Sequence, residues 1–403
     1  MKDIIKIAAV VIARVFTHLF WIFPIKQNRI LFVCHNGGQF SCNPKYIFEK
    51  LHSNNNGQYE LIWAFNDVHN FKGFFDSDVI LVRYRSLKYY YYKATSKITI
   101  CNVNGSGEVG ARKKQFDIQT WHGGGGGYKK SSTDDKTISK LDIYRLKMDN
   151  KRYSLCCASS RTNMNNTILG AMHHKGWVLG GTPRNDILIN HDRHDLEGKV
   201  KKHFGLSMDE RLLLFAPTWR KDRKPSDYAL DYRKLQEVLH ERFGGHWTIL
   251  LRLHHMVKMD ENTFSDQVIN ATHYSDMQEL LYVSDVLMTD YSSSIWDFSF
   301  TYKPCFLLCT DLDDFDGERG FYSPIDTWGF PIARSTDELY QNIRAFNHSE
   351  FQKKMDRHHK INESFEDGHA TEHVAQIIDA VIFSHGKMPE GIPFKQVGGG
   401  SEE

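Results

Sequence analysis

The sequence predicts an α/β protein of two doubly wound domains facing a cleft, and three observations predict it. Short continuous apolar runs alternate with helix-like segments from Arg29 onward, the series restarts in the second half, and polar or glycine-bearing loops follow the runs. Runs this short and uniformly apolar are strands of a parallel sheet covered on both faces. A chain of 403 residues, 41% of them apolar, is long enough for two such domains. Its 51 basic and 49 acidic side chains leave a net charge of +2, which argues against a nucleic-acid coating protein while leaving room for local phosphate sites. Seven cysteines (Cys34, Cys42, Cys101, Cys156, Cys157, Cys305, Cys309) form an odd, scattered set without a C-x-x-C pair. They are expected to be buried thiols of a reducing compartment.

The first element is a helix. Residues Ile7 to Phe23 are apolar apart from Arg14, Thr17 and His18. No small-residue cleavage site follows, so a signal peptide is not expected. At about 100° per residue, Lys2, Asp3, Lys6, Arg14, Thr17 and His18 gather within roughly 160° of circumference. The pattern predicts an amphipathic helix over 1–28 lying in a membrane interface, with Phe20, Trp21 and Phe23 at headgroup depth. An ordinary first helix packed on the protein's own core is the alternative.

Strands are then expected at Ile30–Val33, Tyr59–Phe65, Val79–Val82, Lys97–Ile100 and Phe116–Trp121, with helices from Asn43-Pro44 to Leu51 and from Ser86 to Ala94. The polar stretch Asn190–Val200 reads as a hinge, which divides the chain into domains at 29–190 and 191–385 and leaves a tail at 386–403. In the second domain, strands are expected at Leu212–Ala216, Trp247–Leu253, Gln267–Asn270, Val286–Thr289 and Cys305–Leu308, with a helix at Tyr232–Phe243. Ligands of such sheets sit beyond the carboxyl ends of the strands.

Chemistry-bearing residues crowd those ends. After Phe116–Trp121 come His122, the glycines Gly123 to Gly127, Tyr128, Lys129 and Lys130. Glycine amides can approach an anion, two lysines add charge, and His122 can exchange a proton near neutral pH. Pro217-Thr218-Trp219-Arg220 would suit a phosphate or diphosphate. Arg252, His254 and His255 end the next strand, where adjacent side chains point to opposite sides and a metal pair is not expected. Asp290-Tyr291-Ser292-Ser293-Ser294 follows Val286–Thr289, and its serines would cap the next helix.

Together these loops resemble the CDP-glycerol glycerophosphotransferase family, which builds teichoic-acid-like polymers. Trp121-His122-Gly123, Ala216-Pro217-Thr218-Trp219-Arg220, Arg252-Leu253-His254 and Thr289-Asp290-Tyr291-Ser292-Ser293 match it in content, order and spacing. Asn43-Pro44-Lys45-Tyr46, Gly181-Thr182-Pro183-Arg184-Asn185-Asp186, Arg319-Gly320-Phe321-Tyr322 and Phe365-Glu366-Asp367-Gly368-His369-Ala370 match as well, so the likeness runs from about Arg29 to Ala380. The chain departs from the family's pattern in the glycine run after His122 and in His255, where the family tends to have proline.

The resemblance implies two Rossmann-like domains of the GT-B type, with the acceptor in the N-terminal half and a CDP-glycerol donor in the C-terminal half. It implies attack by an acceptor hydroxyl on the glycerol-side phosphorus, with release of CMP. His122 would be the general base. His254 and Arg220 would grip the diphosphate, with Thr218, Arg252, Ser292 and Ser293 holding phosphate oxygens and Asp290 and Asp367 orienting hydroxyls. Gly123, Lys129 and Lys130 would form an acceptor or anion loop. No metal or cofactor is expected. The acceptor would be a lipid-linked saccharide or growing polymer at the cytoplasmic face of the cell membrane. The rival readings are a ribitol-phosphate or nucleotide-sugar transferase on the same fold, and a non-catalytic member of a membrane assembly complex.

Overall fold

The structure is a computed structural model describing residues 2–105, 107–125, 138–218, 230–253, 268–384, 387 and 389–397. Contacts divide it into a first unit, Met1–Asp186 with Ser364–Glu403, and a second, Ile187–Glu363.

The first unit carries an eight-stranded sheet. Its strands are β1 (Lys26–Val33), β2 (Glu60–Phe65), β3 (Ile80–Arg83), β4 (Ser96–Cys101), β5 (Phe116–Gln119), β6 (Tyr153–Ala158) and β7 (Trp177–Gly180), closed by the chain's last strand, Phe394–Gln396. From that last strand inward the order is β7-β6-β5-β4-β1-β2-β3. All neighbours are parallel except the terminal strand, which runs antiparallel to β7. Side chains alternate between two buried faces, as strands require. Ile30, Phe32, Trp63, Ile100 and Leu179 enter one core with Ile47 and Phe48 of the Cys42–Ser53 helix and Val374, Ile377 and Ile378 of the Ala370–Phe383 helix. Leu31, Val33, Ile62, Ala64 and Cys156 enter the other. At the edge of the second core, buried Asp117 of β5 pairs with Lys93 at 2.8 Å and Arg152 at 3.1 Å.

The second unit has a six-stranded parallel sheet. Its strands are β8 (Arg211–Phe215), β9 (Trp247–Leu251), β10 (Val268–Asn270), β11 (Val286–Thr289), β12 (Cys305–Leu308) and β13 (Ile332–Ala333), in the order β10-β9-β8-β11-β12-β13. The terminal strand of the first unit is thus β14.

Several expectations are corrected. Asn190–Val200 is not a hinge, because a helix occupies His194–His203 and buries Leu196 and Val200; the units part at Asp186 instead. Ser364 onward, read from the sequence as the end of the second domain, lies with the first unit because the Ala370–Phe383 helix fills its core. Part of the 386–403 tail is structured, with Ile392 buried and β14 paired to β7. The seven cysteines are free and buried, as expected.

The N-terminal helix spans Lys2–His18 and continues as a 3₁₀ turn over Leu19–Ile22, with β1 beginning at Lys26 rather than after 28. Arg14 and Thr17 turn toward the body of the first unit, whereas Lys6 is exposed: Arg14 Nη1 donates to Gly107 O at 3.0 Å and Thr17 Oγ1 to Glu108 O at 2.8 Å. Ile4, Ile5, Ile12, Val15, Leu19 and Ile22 are exposed instead. Phe20 and Trp21 do not join them. Phe20 meets Tyr90, and Trp21 packs against His18, ring planes tilted by 45°, beneath Arg112.

Candidate active site

In each sheet the strand order reverses direction at one place, and loops diverging there leave a crevice at the carboxyl ends. In the first unit that place lies between β1 and β4. His35 follows β1, Asn102 follows β4, and β5, beside β4, leads through Thr120 and Trp121 to His122. His122 therefore stands at the switch point.

The strand before His122 is shorter than expected, ending at Gln119. Trp121 has a φ of 55°, a left-handed conformation that re-aims the chain. The turn brings His122 Nδ1 to 2.8 Å from the main-chain oxygen of Asn102. A carbonyl only accepts, so Nδ1 carries the proton and Nε2 is the basic nitrogen of the neutral ring. The ring of His35 stands edge-to-face against it, 5.5 Å between centroids. Asn102 joins the two histidines, since its side-chain Oδ1 accepts from His35 N at 2.8 Å. Gly123 is half-buried and Gly125 N donates to Ser159 Oγ at 3.2 Å. Lys129 and Lys130 lie outside the described residues.

Behind this loop, polar residues that stand in the sequence only as members of short motifs form a network around buried Asn43, Thr182, Arg184 and Asn185. Asn43 Nδ2 donates to Thr120 O at 3.1 Å and Trp121 O at 2.9 Å, and its Oδ1 accepts from Arg184 N at 2.9 Å. Glu366 accepts from Thr182 N at 3.0 Å, Thr182 Oγ1 at 2.5 Å and Asn185 Nδ2 at 2.9 Å. Burial pushes the Glu366 carboxyl up to about 8, against the opposing pull of those donors and of Arg184. Asp186 caps the Ala370–Phe383 helix by accepting from Ala370 N and Thr371 N. The signal for these residues was their polarity within short motifs between apolar strands. Asp367, the residue singled out there, is exposed, lies in the first unit, and accepts from His369 N at 2.9 Å.

In the second unit the order reverses between β8 and β11. Thr218 follows β8 and Asp290 follows β11, and the two meet: Asp290 Oδ1 accepts from Thr218 N at 2.8 Å and Thr218 Oγ1 at 2.5 Å. The same oxygen takes Tyr291 N at 2.6 Å, so buried Asp290 knits the two loops together. Ser292 and Ser293 are half-buried. Ser293 occupies the N-cap of Ser294–Phe298 without a side-chain cap bond, whereas Ser292 Oγ accepts from Ser294 N at 3.3 Å, so the expected capping comes from Ser292. The Arg252 guanidinium reaches the main-chain oxygens of Tyr274 and, at 3.5 Å, Ala271. Burial pulls its pKa down to about 10, an effect that Asp276 and Tyr274 partly offset. Arg220 and His254 lie outside the described residues, as does His255.

Among the described residues, His52, Asp76 and Asp78 bring potential metal-ligating atoms within 4.8 Å of one another. His52 ends the helix that follows β1 and Asp78 precedes β3, so the group lies at the amino ends of the strands, away from His122. Both aspartates are exposed, and His52 Nε2 lies 3.3 Å from Asp78 and 3.6 Å from Asp76.

Two Rossmann-like sheets, each with polar loops gathered at its switch point, define a GT-B-like fold. The family model described as CDP-Glycerol:Poly(glycerophosphate) glycerophosphotransferase matches residues 15–380, and the chain belongs to that family of transferases. The teichoic acid poly(glycerol phosphate) polymerase of Bacillus spizizenii is 30% identical over 79% of this chain and 84% of its own length. The Staphylococcus aureus teichoic acid glycerol-phosphate transferase is 27% identical over 87% and 93%. Against the Bacillus subtilis poly(glycerol phosphate) polymerase, 26% identical, the chain spans 48% of the relative's length. In fold the chain is similar to the wall teichoic acid polymerase TagF, with a TM-score of 0.78 at 23% identity over 96% of this chain and 99% of that one.

Proposed function

We propose that the protein transfers glycerol phosphate from CDP-glycerol to a hydroxyl of a lipid-linked saccharide or polyol-phosphate acceptor, with release of CMP. The observation that carries this reading is the 2.8 Å contact of His122 Nδ1 with Asn102 O, from which the tautomer follows. With Nδ1–H committed to Asn102 O, Nε2 can take the proton of an acceptor hydroxyl as its oxygen attacks the glycerol-side phosphorus. The bond from that phosphorus to the bridging oxygen breaks, and CMP carries the electron pair away. The second unit's Thr218, Arg252, Ser292 and Ser293 would position the donor, with Arg220 and His254 offsetting charge on the departing phosphate. Family membership supports the donor, and a structure of TagF has been obtained after a CDPG soak.

The reaction belongs, on this reading, at the cytoplasmic face of the membrane. The segment Ile4–Ile22 is long and apolar enough to cross a bilayer. Its Arg14 and Thr17, however, are bonded to the loop at Gly107 and Glu108, while its apolar side chains face outward. That distribution favours a helix lying in the interface over one that spans it.

CMP release tests the function, with CDP-glycerol, CDP-ribitol and a UDP-sugar each offered with and without lipid-linked acceptor. Acceptor-stimulated release from CDP-glycerol is the expected result, and His122→Ala should lower turnover by about 10²-fold or more with donor binding near normal. Near wild-type turnover in that variant removes His122 from the mechanism. Preferential use of CDP-ribitol would favour the second reading, prompted by relatives named for ribitol phosphate, such as the 24% identical ribitol-phosphate primase of Bacillus spizizenii.

A further inference from the structure

We propose that Asn43 is a positioning residue for the transfer, holding the main chain before His122 in the conformation that presents Nε2 as a base; this rests on His122 being the base. Trp121 adopts a φ of 55°, where a bulky side chain is disfavoured and persists only if its surroundings over-determine it. Four main-chain bonds do so. Thr120 N donates to Cys101 O at 2.8 Å and Trp121 N to Gln119 Oε1 at 3.0 Å, which fix the approach from β5. The other two come from Asn43 Nδ2, at 3.1 Å to Thr120 O and 2.9 Å to Trp121 O, immediately before His122.

Asn43 suits this task chemically. A side-chain amide offers donors and an acceptor in one plane, and here the donors serve one loop while Oδ1 takes Arg184 N from another. Asn43 is fully buried at the start of the Cys42–Ser53 helix, whose Ile47 and Phe48 are locked in the core. The amide therefore sits on a rigid support and transmits that rigidity to the loop. Without it, Trp121 is drawn toward an ordinary φ, and a rotation there swings His122 away from Asn102 O. An imidazole released from that carbonyl loses the constraint that keeps the proton on Nδ1. A misplacement of this kind costs turnover rather than donor affinity, because Thr218, Arg252, Ser292 and Ser293, which the proposed function gives to the donor, belong to the second unit.

Asn43→Asp tests the idea closely. It keeps the shape, removes both donors and sets a carboxylate against two carbonyls. Asn43→Ser, which keeps one donor, is the milder companion if the aspartate variant does not fold. Histidine-labelled protein, with His122 assigned through His122→Gln, reports the ring tautomer by ¹⁵N NMR. The expected result is an Nδ1–H ring in the wild type and a mixed tautomer in the variants. The turnover number for CMP release should fall about tenfold to a hundredfold, with KM for CDP-glycerol within about twofold. An unchanged tautomer with unchanged turnover in a folded variant overturns the proposal, as does a loss confined to KM. If the wild type releases no CMP from any donor while the variants still shift the tautomer, the functional reading fails and the positioning of His122 by Asn43 stands.

Discussion

Ile12 and Leu19 are 70% and 62% exposed on the N-terminal helix, and substituting both by aspartate tests whether that face meets lipid. Neither side chain packs in the protein's core, so folding should be indifferent to the change. Burying an Ile or Leu in an apolar phase is worth about 1.5–3 kcal/mol, of which roughly two-thirds is available here. A carboxylate at interfacial depth adds a further penalty below the roughly 3 kcal/mol it meets at a helix centre. About 3 kcal/mol per site, or about 6 for the pair, corresponds to roughly four orders of magnitude in partitioning. Cosedimentation with vesicles of phosphatidylethanolamine and phosphatidylglycerol should therefore drop from nearly complete to background. Arg14→Ala is the informative contrast. It removes the 3.0 Å bond to Gly107 O, costs about 1 kcal/mol of attachment to the first unit, and leaves the apolar face intact. Vesicle binding should survive it. Retained binding by the double aspartate variant, or release by Arg14→Ala, would refute the assignment of faces.

Two further outcomes concern stability. The Glu366 carboxyl ionises near 4.5 in the unfolded chain and near 8 in the fold, so the fold binds more protons between those values and loses stability as pH rises. The loss should approach about 1.4 kcal/mol per pH unit at its steepest, and the stability of Glu366→Gln relative to wild type should climb from pH 5 to pH 8. Parallel denaturation curves across that range would show that the carboxyl is already ionised. Asp117→Asn strips the shared partner from buried Lys93 and Arg152 and should destabilise the first unit by about 3–5 kcal/mol, read from its denaturation midpoint. A change under about 1 kcal/mol would mean that solvent reaches the pair.

Strands with uniform apolar runs were legible from the sequence. Val286–Thr289, Cys305–Leu308 and the Tyr232–Phe243 helix occur where their patterns place them. The strands β6 and β7 were not read: Tyr153–Ala158 centres on two cysteines, and Trp177–Gly180 ends in a glycine that runs into Gly181. His122, Thr218 and Asp290 stood out because they follow such runs directly. Asn43, Asn102 and Glu366 did not, since their work is to bond main-chain groups far away in sequence, and composition carries no trace of that. The amphipathic pattern of the first helix was visible, but a helical projection does not say which face the protein keeps. Arg14 and Thr17 answer that only through their bonds to Gly107 and Glu108.

The return of the chain at Ser364 sets an order of assembly. Residues Ile187–Glu363 are continuous, so everything the second unit needs has been synthesised before the last segment emerges. The first unit, begun earlier, must wait: until Val374, Ile377 and Ile378 arrive, its sheet has an uncovered apolar face. The exposed N-terminal helix is then already outside the ribosome, attached to a half-built domain. Shortening the chain at its C-terminus should therefore damage the N-terminal unit first, and a nascent chain stalled before residue 370 would be most in need of a chaperone or a membrane surface to shield it.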